Sequence, residues 1–132
     1  MSTKDPVLLA FTSIGTGATL GSAAITGGLI VFTSVSSLRD DPASDRAFLF
    51  LLGTMIVSFT LSIATTWVLT RSIENAWRRG ISSALAMTAA IVLSVFTAPI
   101  DNLGGRTALL AYFLLLLTAA GLLLASARRA AA

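Results

Sequence analysis

Four stretches of this chain carry no charged residue: 6–38, 47–70, 80–100 and 107–127, each at least 21 residues long. At 1.5 Å rise per residue, about 20 apolar residues cross a hydrocarbon core of roughly 30 Å. No water reaches the backbone there, and a helix satisfies its own N–H and C=O groups within one segment. The expected fold is therefore an all-α integral membrane protein, an antiparallel four-transmembrane-helix bundle. Its helices are expected at about 6–37, 43–70, 79–100 and 106–127, in a single membrane domain over residues 1–132. Composition agrees. Only 11% of the 132 residues are charged, against about 25% in a soluble domain.

The first span does not read as a cleaved leader. Lys4 is offset by Asp5, and the run that follows is rich in Ser, Thr and Gly, whereas a secretory core is shorter and more purely apolar. The chain has no cysteine and no histidine, which removes thiolate ligands and the commonest haem ligand. Its one lysine, Lys4, precedes the first span, so no Schiff base forms within the membrane. No cofactor is expected.

An even number of spans leaves both termini on one side. That side carries Lys4, Arg71, Arg78, Arg79, Arg128 and Arg129; the other carries Arg39, Arg46 and Arg106 among Asp40, Asp41, Asp45 and Asp101. The side richer in Lys and Arg stays cytoplasmic. With abundant Ala and Leu and Arg favoured over Lys, the expected location is a bacterial inner membrane, with multiple passes and both termini cytoplasmic. In the cytoplasmic loop, Glu74 stands four residues before Arg78 and Ile73 four before Trp77, which are helical pairings. Trp67, Arg71, Trp77, Arg78 and Arg79 are expected to anchor this end at the headgroup level. Asp5-Pro6 and Asp41-Pro42 read as helix starts, and Pro99 as the stop before a short turn that folds the last two helices into a hairpin.

Five of the ten glycines lie in residues 15–28. A dinucleotide fingerprint beginning at Gly15 and Gly17 would need a third glycine at position 20, where Leu20 stands, and no strand precedes it. The Gly-Lys-Ser/Thr ending of a phosphate-binding loop is absent as well. On a helix, by contrast, Ser13, Gly17, Gly21, Ala24 and Gly28 form one small-residue face. Phe11, Ile14, Ala18, Ile25, Leu29 and Phe32 form a bulkier arc suited to lipid. Thr12, Thr16, Thr19, Ala23, Thr26, Ile30 and Thr33 form a third strip. Small residues let helices approach closely in lipid, where leucine gains little by leaving the acyl chains. Helix one is thus expected to be the packing helix; longer than the hydrocarbon core, it must tilt, project beyond the bilayer or break, and Gly27-Gly28 is the place where a bend would fall. Thr54, Ser58, Ser62 and Thr66 of the second helix are expected to face it. The leucine-rich fourth helix, whose only close-approach patch is Thr118–Gly121, is expected to face lipid or another subunit.

Ionisable groups inside a bilayer mark function, and the four spans contain none. Glu74 and Asp101 belong to opposite sides, so no catalytic carboxylate pair is expected. Arg39, Arg46 and Arg106 compete for the nearby carboxylates, so no metal site is expected either. The net charge of +3 is spread over both faces, which does not suit nucleic acid. What remains is a non-catalytic accessory or assembly subunit, or a homo-oligomeric scaffold using the small-residue face. Its partners would be membrane lipids and further copies or subunits of a membrane complex. Two alternatives stand beside it. One is a channel or facilitator along Thr12, Thr16, Thr19 and Thr26 with Thr54, Ser58, Ser62 and Thr66; the other is a lipid- or quinone-binding protein.

Overall fold

The computed structural model describes residues 6–35, 45–71, 73 and 75–131. Four helices account for nearly all of them: α1 (Pro6–Ser34), α2 (Asp45–Leu69), α3 (Ala76–Val95) and α4 (Thr97–Ala131). All four are long and apolar enough to cross a membrane. The chain is an all-α, multi-pass, four-helix membrane protein.

The arrangement is inside-out relative to a protein that folds in water. Ser13, Thr16, Ser22, Thr26, Ser58, Ser62, Thr66 and Thr70 are fully buried, alongside small alanines such as Ala86 and Ala90. Phe11, Phe48, Leu49, Leu114, Leu115 and Leu122 are more exposed than buried, and so are Trp77 and Leu103. In water that surface would be costly. Against acyl chains it costs nothing, and the interior is left to whatever lets backbones meet.

Helix α1 is the centre. It packs against each of the other three helices; α2 and α3 also touch one another, whereas α3 and α4 meet only sparsely. Close approaches fix the directions. Gly17, Gly21 and Gly28 sit against Thr66, Ser62 and Thr54 of α2, an antiparallel match. Gly17 and Gly21 also approach Ala86 and Ala90 of α3, a parallel match, and Gly15 and Gly27 receive Leu123 and Phe113 of α4, antiparallel again.

Three sequence expectations change on this framework. The bulky arc of α1 is not left to lipid. Gly17, Gly21 and Ser22, on either side of it, all contact α3, and Ala18 at its middle is 3% exposed; Ile14, Ile25, Leu29 and Phe32 are half-buried, and Phe11 near the helix start lies open. The last two helices do not form a packed hairpin, because α4 lies along α1; Tyr112 Oη still donates to the Leu93 carbonyl across the gap (2.7 Å). Nor does Pro99 end the third span. Helix α3 closes at Val95 with Phe96 as its C-cap, and Pro99 falls in the first turn of α4, where its missing N–H has no partner to lose. The sharp turn comes later, at Gly105 (φ 62°, ψ −149°), a conformation in effect reserved for glycine.

α1 runs unbroken through Gly27-Gly28. The two glycines face different neighbours, Gly27 toward Phe113 of α4 and Gly28 toward Thr54 of α2. The Asp5 and Asp41-Pro42 caps lie outside the described residues.

A series of glycine-to-alanine variants tests this packing by thermal melting in detergent. Gly21→Ala puts its Cβ 3.0 Å from Ala90 Cβ and on the Ser62 hydroxyl, and should cost about 1–3 kcal/mol by overpacking. Gly105→Ala should cost about 1–3 kcal/mol through backbone strain. Gly121→Ala meets nothing within 4 Å, and should be neutral or gain up to about 1 kcal/mol of helix propensity. Equal melting of Gly21→Ala and Gly121→Ala would refute the arrangement.

Candidate functional site

The polar interior is built mainly from two strips of hydroxyl side chains, one on α2 and one on α1. Along α2, Ser58, Ser62 and Thr66 recur every fourth residue, so their hydroxyls project from one side of the helix. Ser58 Oγ donates to the Gly21 carbonyl (2.7 Å) and Ser62 Oγ to the Gly17 carbonyl (3.0 Å); Thr66 Oγ1 donates chiefly to its own helix at the Ser62 carbonyl (2.8 Å) and makes only a longer contact with the Ser13 carbonyl (3.4 Å). The α1 acceptors also step by four, in the opposite sense. A carbonyl has two lone pairs, so each can accept a hydroxyl while keeping its helical N–H. Glycine at 17 and 21 is what brings the hydroxyl within reach: a Cβ at Gly17 would stand 2.7 Å from the Ser62 carbonyl oxygen. Thr54 is the fourth member of this strip, but its hydroxyl bonds its own helix at Phe50 O (2.9 Å), while its side chain fills the space above Gly28. Ala24 does not join the ladder. It lines a shallow apolar groove of about 370 Å³ with Phe50, Gly53 and Val57.

Thr12, Thr16, Thr19 and Thr26 lie on another side of α1. They fall on the arc between Gly15 and Gly27, which face α4. Each hydroxyl bonds within α1: Thr12 to Leu8 O (2.8 Å), Thr16 to Thr12 O (2.7 Å), Thr19 to Gly15 O (2.8 Å) and Thr26 to Ser22 O (2.8 Å). Among the described residues, therefore, the hydroxyl strips of α1 and α2 face different sides of α1 and do not line a common gap between helices 1 and 2. The small-residue face is likewise occupied within the chain. Thr54, Ser62 and Thr66 stand where a second copy would have to enter.

What the sequence reading missed is the spacing of the threonine strip. Leu9, Thr12, Thr16, Thr19, Ala23, Thr26, Ile30 and Thr33 alternate by three and four, and so do Arg106, Leu109, Phe113, Leu116, Ala120, Leu123 and Ala127 of α4. Steps of three and four are the seam of two helices packed knobs-into-holes. Its members Leu9, Leu109, Leu116, Ala120 and Ala127 are at most 4% exposed. Of the Thr118–Gly121 patch Ala120 alone belongs to this seam: Thr118 is exposed, and nothing stands within 4 Å of a Cβ at Gly121.

The ends of the bundle are closed by arginines. Arg79 at the start of α3 reaches the end of α2, its guanidinium 4.0 Å over the Trp67 ring and Nη2 donating to the Trp67 carbonyl (2.8 Å). At the opposite end Arg106 Nη2 donates to the Thr33 carbonyl (3.0 Å), tying α4 to α1. The expected anchors thus separate. Trp67 and Arg79 form a clasp; Arg71, Trp77 and Arg78 are exposed. Trp77 and Ile73 do not share a helical face, because α3 begins only at Ala76 with the Asn75 side chain accepting from Trp77 N (2.9 Å). Ile73 packs instead toward Leu9 and Ala127. Glu74, the expected partner of Arg78, lies outside the described residues.

Among the described residues no group of three or more Asp or Glu side chains could hold a metal ion. Asp45 and Asp101 are both exposed. The expected carboxylates at 40 and 41 lie outside the described residues.

The clasp gives a direct test. In a Trp77→Phe background Trp67 is the sole indole. Arg79→Met should then shift its emission and raise its quenching by aqueous acrylamide. It should lower stability by about 0.5–1 kcal/mol, the worth of a partly exposed cation–π contact. Unchanged emission and melting would remove the clasp. No protein-family model matches this chain, and no curated protein or solved structure matches it either.

Proposed function

We propose that this protein is a non-catalytic structural subunit of a membrane, an accessory, assembly or scaffold component that acts through its lipid-facing surface. One observation carries the reading. Inside the bundle the threonine hydroxyls of α1 are spent on their own helix, and the α2 strip is spent on the carbonyls of α1 or on α2 itself. A conduit needs donors and acceptors turned toward a gap, and proton transport needs an ionisable group at membrane depth. The spans supply no such group.

The partner surface differs from the one the sequence suggests. The glycine face serves α2, so association with a further copy or another membrane protein falls to the outer faces. Helix α4 offers Leu110, Leu114, Leu117 and Leu122 there, and α2 offers Leu52, Met55 and Ile56. The basic end, with Arg71, Arg78, Arg79, Arg128 and Arg129, faces the cytoplasm of a bacterial cell under the positive-inside rule.

Two measurements on the same purified preparation test this. Vesicles containing the protein should pass water, potassium ions, protons and glycerol no faster than empty vesicles. Native mass spectrometry from mild detergent should show the chain in a complex of fixed stoichiometry, with its own copies or another membrane protein. Flux above the empty-vesicle rate, or a chain that remains single at every detergent concentration, would overturn the proposal.

A further inference from the structure

Near the basic end, α1 and α3 diverge and leave an apolar groove of about 430 Å³, within the usual size of a small-molecule site, about 300–1,000 Å³. Val7, Phe11 and Ile14 of α1 line one wall, and Ile81 and Leu85 of α3 the other. Two polar residues interrupt it. Arg78, in the first turn of α3, lies at the mouth and is exposed. Ser82, one turn deeper, is 6% exposed, and its hydroxyl makes no hydrogen bond to any described residue. Ser13 Oγ and Ser83 Oγ are also buried without a partner, but neither lines this groove, whereas Thr88, Ser94 and Thr118 bond one turn back.

We infer that this groove holds one acidic phospholipid, an acyl chain against Phe11, Ile14 and Leu85 and the phosphate against Arg78, with Ser82 donating to a headgroup or ester oxygen. The charge and the depth agree. The groove opens where the headgroup region begins, at the end that also carries Arg71, Arg128 and Arg129, and basic pockets between helices on that side suit anionic headgroups. A neutral quinone would leave Arg78 with nothing to neutralise. Arg79 is not part of the site, since its guanidinium lies on Trp67. The inference rests on the membrane fold and not on the scaffold reading, so either can fail without the other.

The test is native mass spectrometry of the detergent-purified chain titrated with phosphatidylglycerol or with phosphatidylcholine of the same acyl length. One phosphatidylglycerol should be retained per chain in preference to phosphatidylcholine. Arg78→Gln should weaken that retention about fivefold, as one basic contact near the surface is worth. Arg128→Gln, at an exposed position off the groove, should leave it unchanged, and Arg78→Lys should restore most of it. Ala10→Phe, which fills the groove, should reduce retention of both lipids, with melting measured alongside to show that the bundle persists. Equal retention of the two lipids would overturn the proposal. So would equal effects of Arg78→Gln and Arg128→Gln, or displacement of the lipid by inorganic phosphate.

Discussion

In lipid a helix has no apolar surface to hide, so this fold depends on how close α1 can bring its backbone to α2. Glycine at 17, 21 and 28 sets that distance, and the hydroxyls of Ser58, Ser62 and Thr66 convert it into contacts with α1 carbonyls. Interhelical bonds of this kind average about 0.6 kcal/mol in a membrane. Two such bonds and one longer contact therefore do not hold the pair together by themselves; the dispersion contacts of close packing supply the rest. What the bonds do fix is register. Sliding α2 by one residue turns its hydroxyl strip by about 100°, and every hydroxyl loses its carbonyl in the same step that side chains leave the glycine slots.

The opposite side of α1 solves the same problem differently. Here α4 supplies bulk, with Phe113 and Leu123 entering the spaces over Gly27 and Gly15. The threonines between them bond their own helix. With the hydroxyl spent at home, such a threonine presents its methyl group and packs as a small apolar residue. One helix thus carries a hydrogen-bonded face and an interdigitated face, with α3 closing the arc beyond. That is why α1 takes five of the chain's ten glycines and shares its hydroxylated residues with α2, while α4 keeps the leucines.

The fold class was legible because charge is so costly in a bilayer that its absence marks each span. The glycine face was legible for a related reason: only close approach explains glycines at helical spacing. Which neighbour each face meets was not legible, because four uncharged helices offer many pairings and residue type alone does not choose among them. The threonine strip shows the difficulty. Its composition left a polar path open beside packing, while its steps of three and four, shared with Arg106, Leu109, Phe113 and Leu116, marked a seam. Composition was the weaker signal. At the 71–79 loop, helical pairings drawn from Ile73 and Glu74 failed to notice that Asn75 is a good N-cap, which starts the helix after them.

Arg78 and Arg79 illustrate how far identity alone falls short of role. They are adjacent, equally charged and in the same first turn, yet successive helical residues point about 100° apart. That rotation aims one guanidinium at α2 and the other at the cleft between α1 and α3. The first finds an indole face and a carbonyl left open at the end of a helix, a pairing that ties α3 to α2 where no helical N–H remains to do so. The second finds apolar walls and an unspent serine, and its charge faces the headgroup region. A bundle whose interior polar groups bond mainly to its own backbone has little left to offer except at such edges, where the helices part and a basic side chain meets the bilayer.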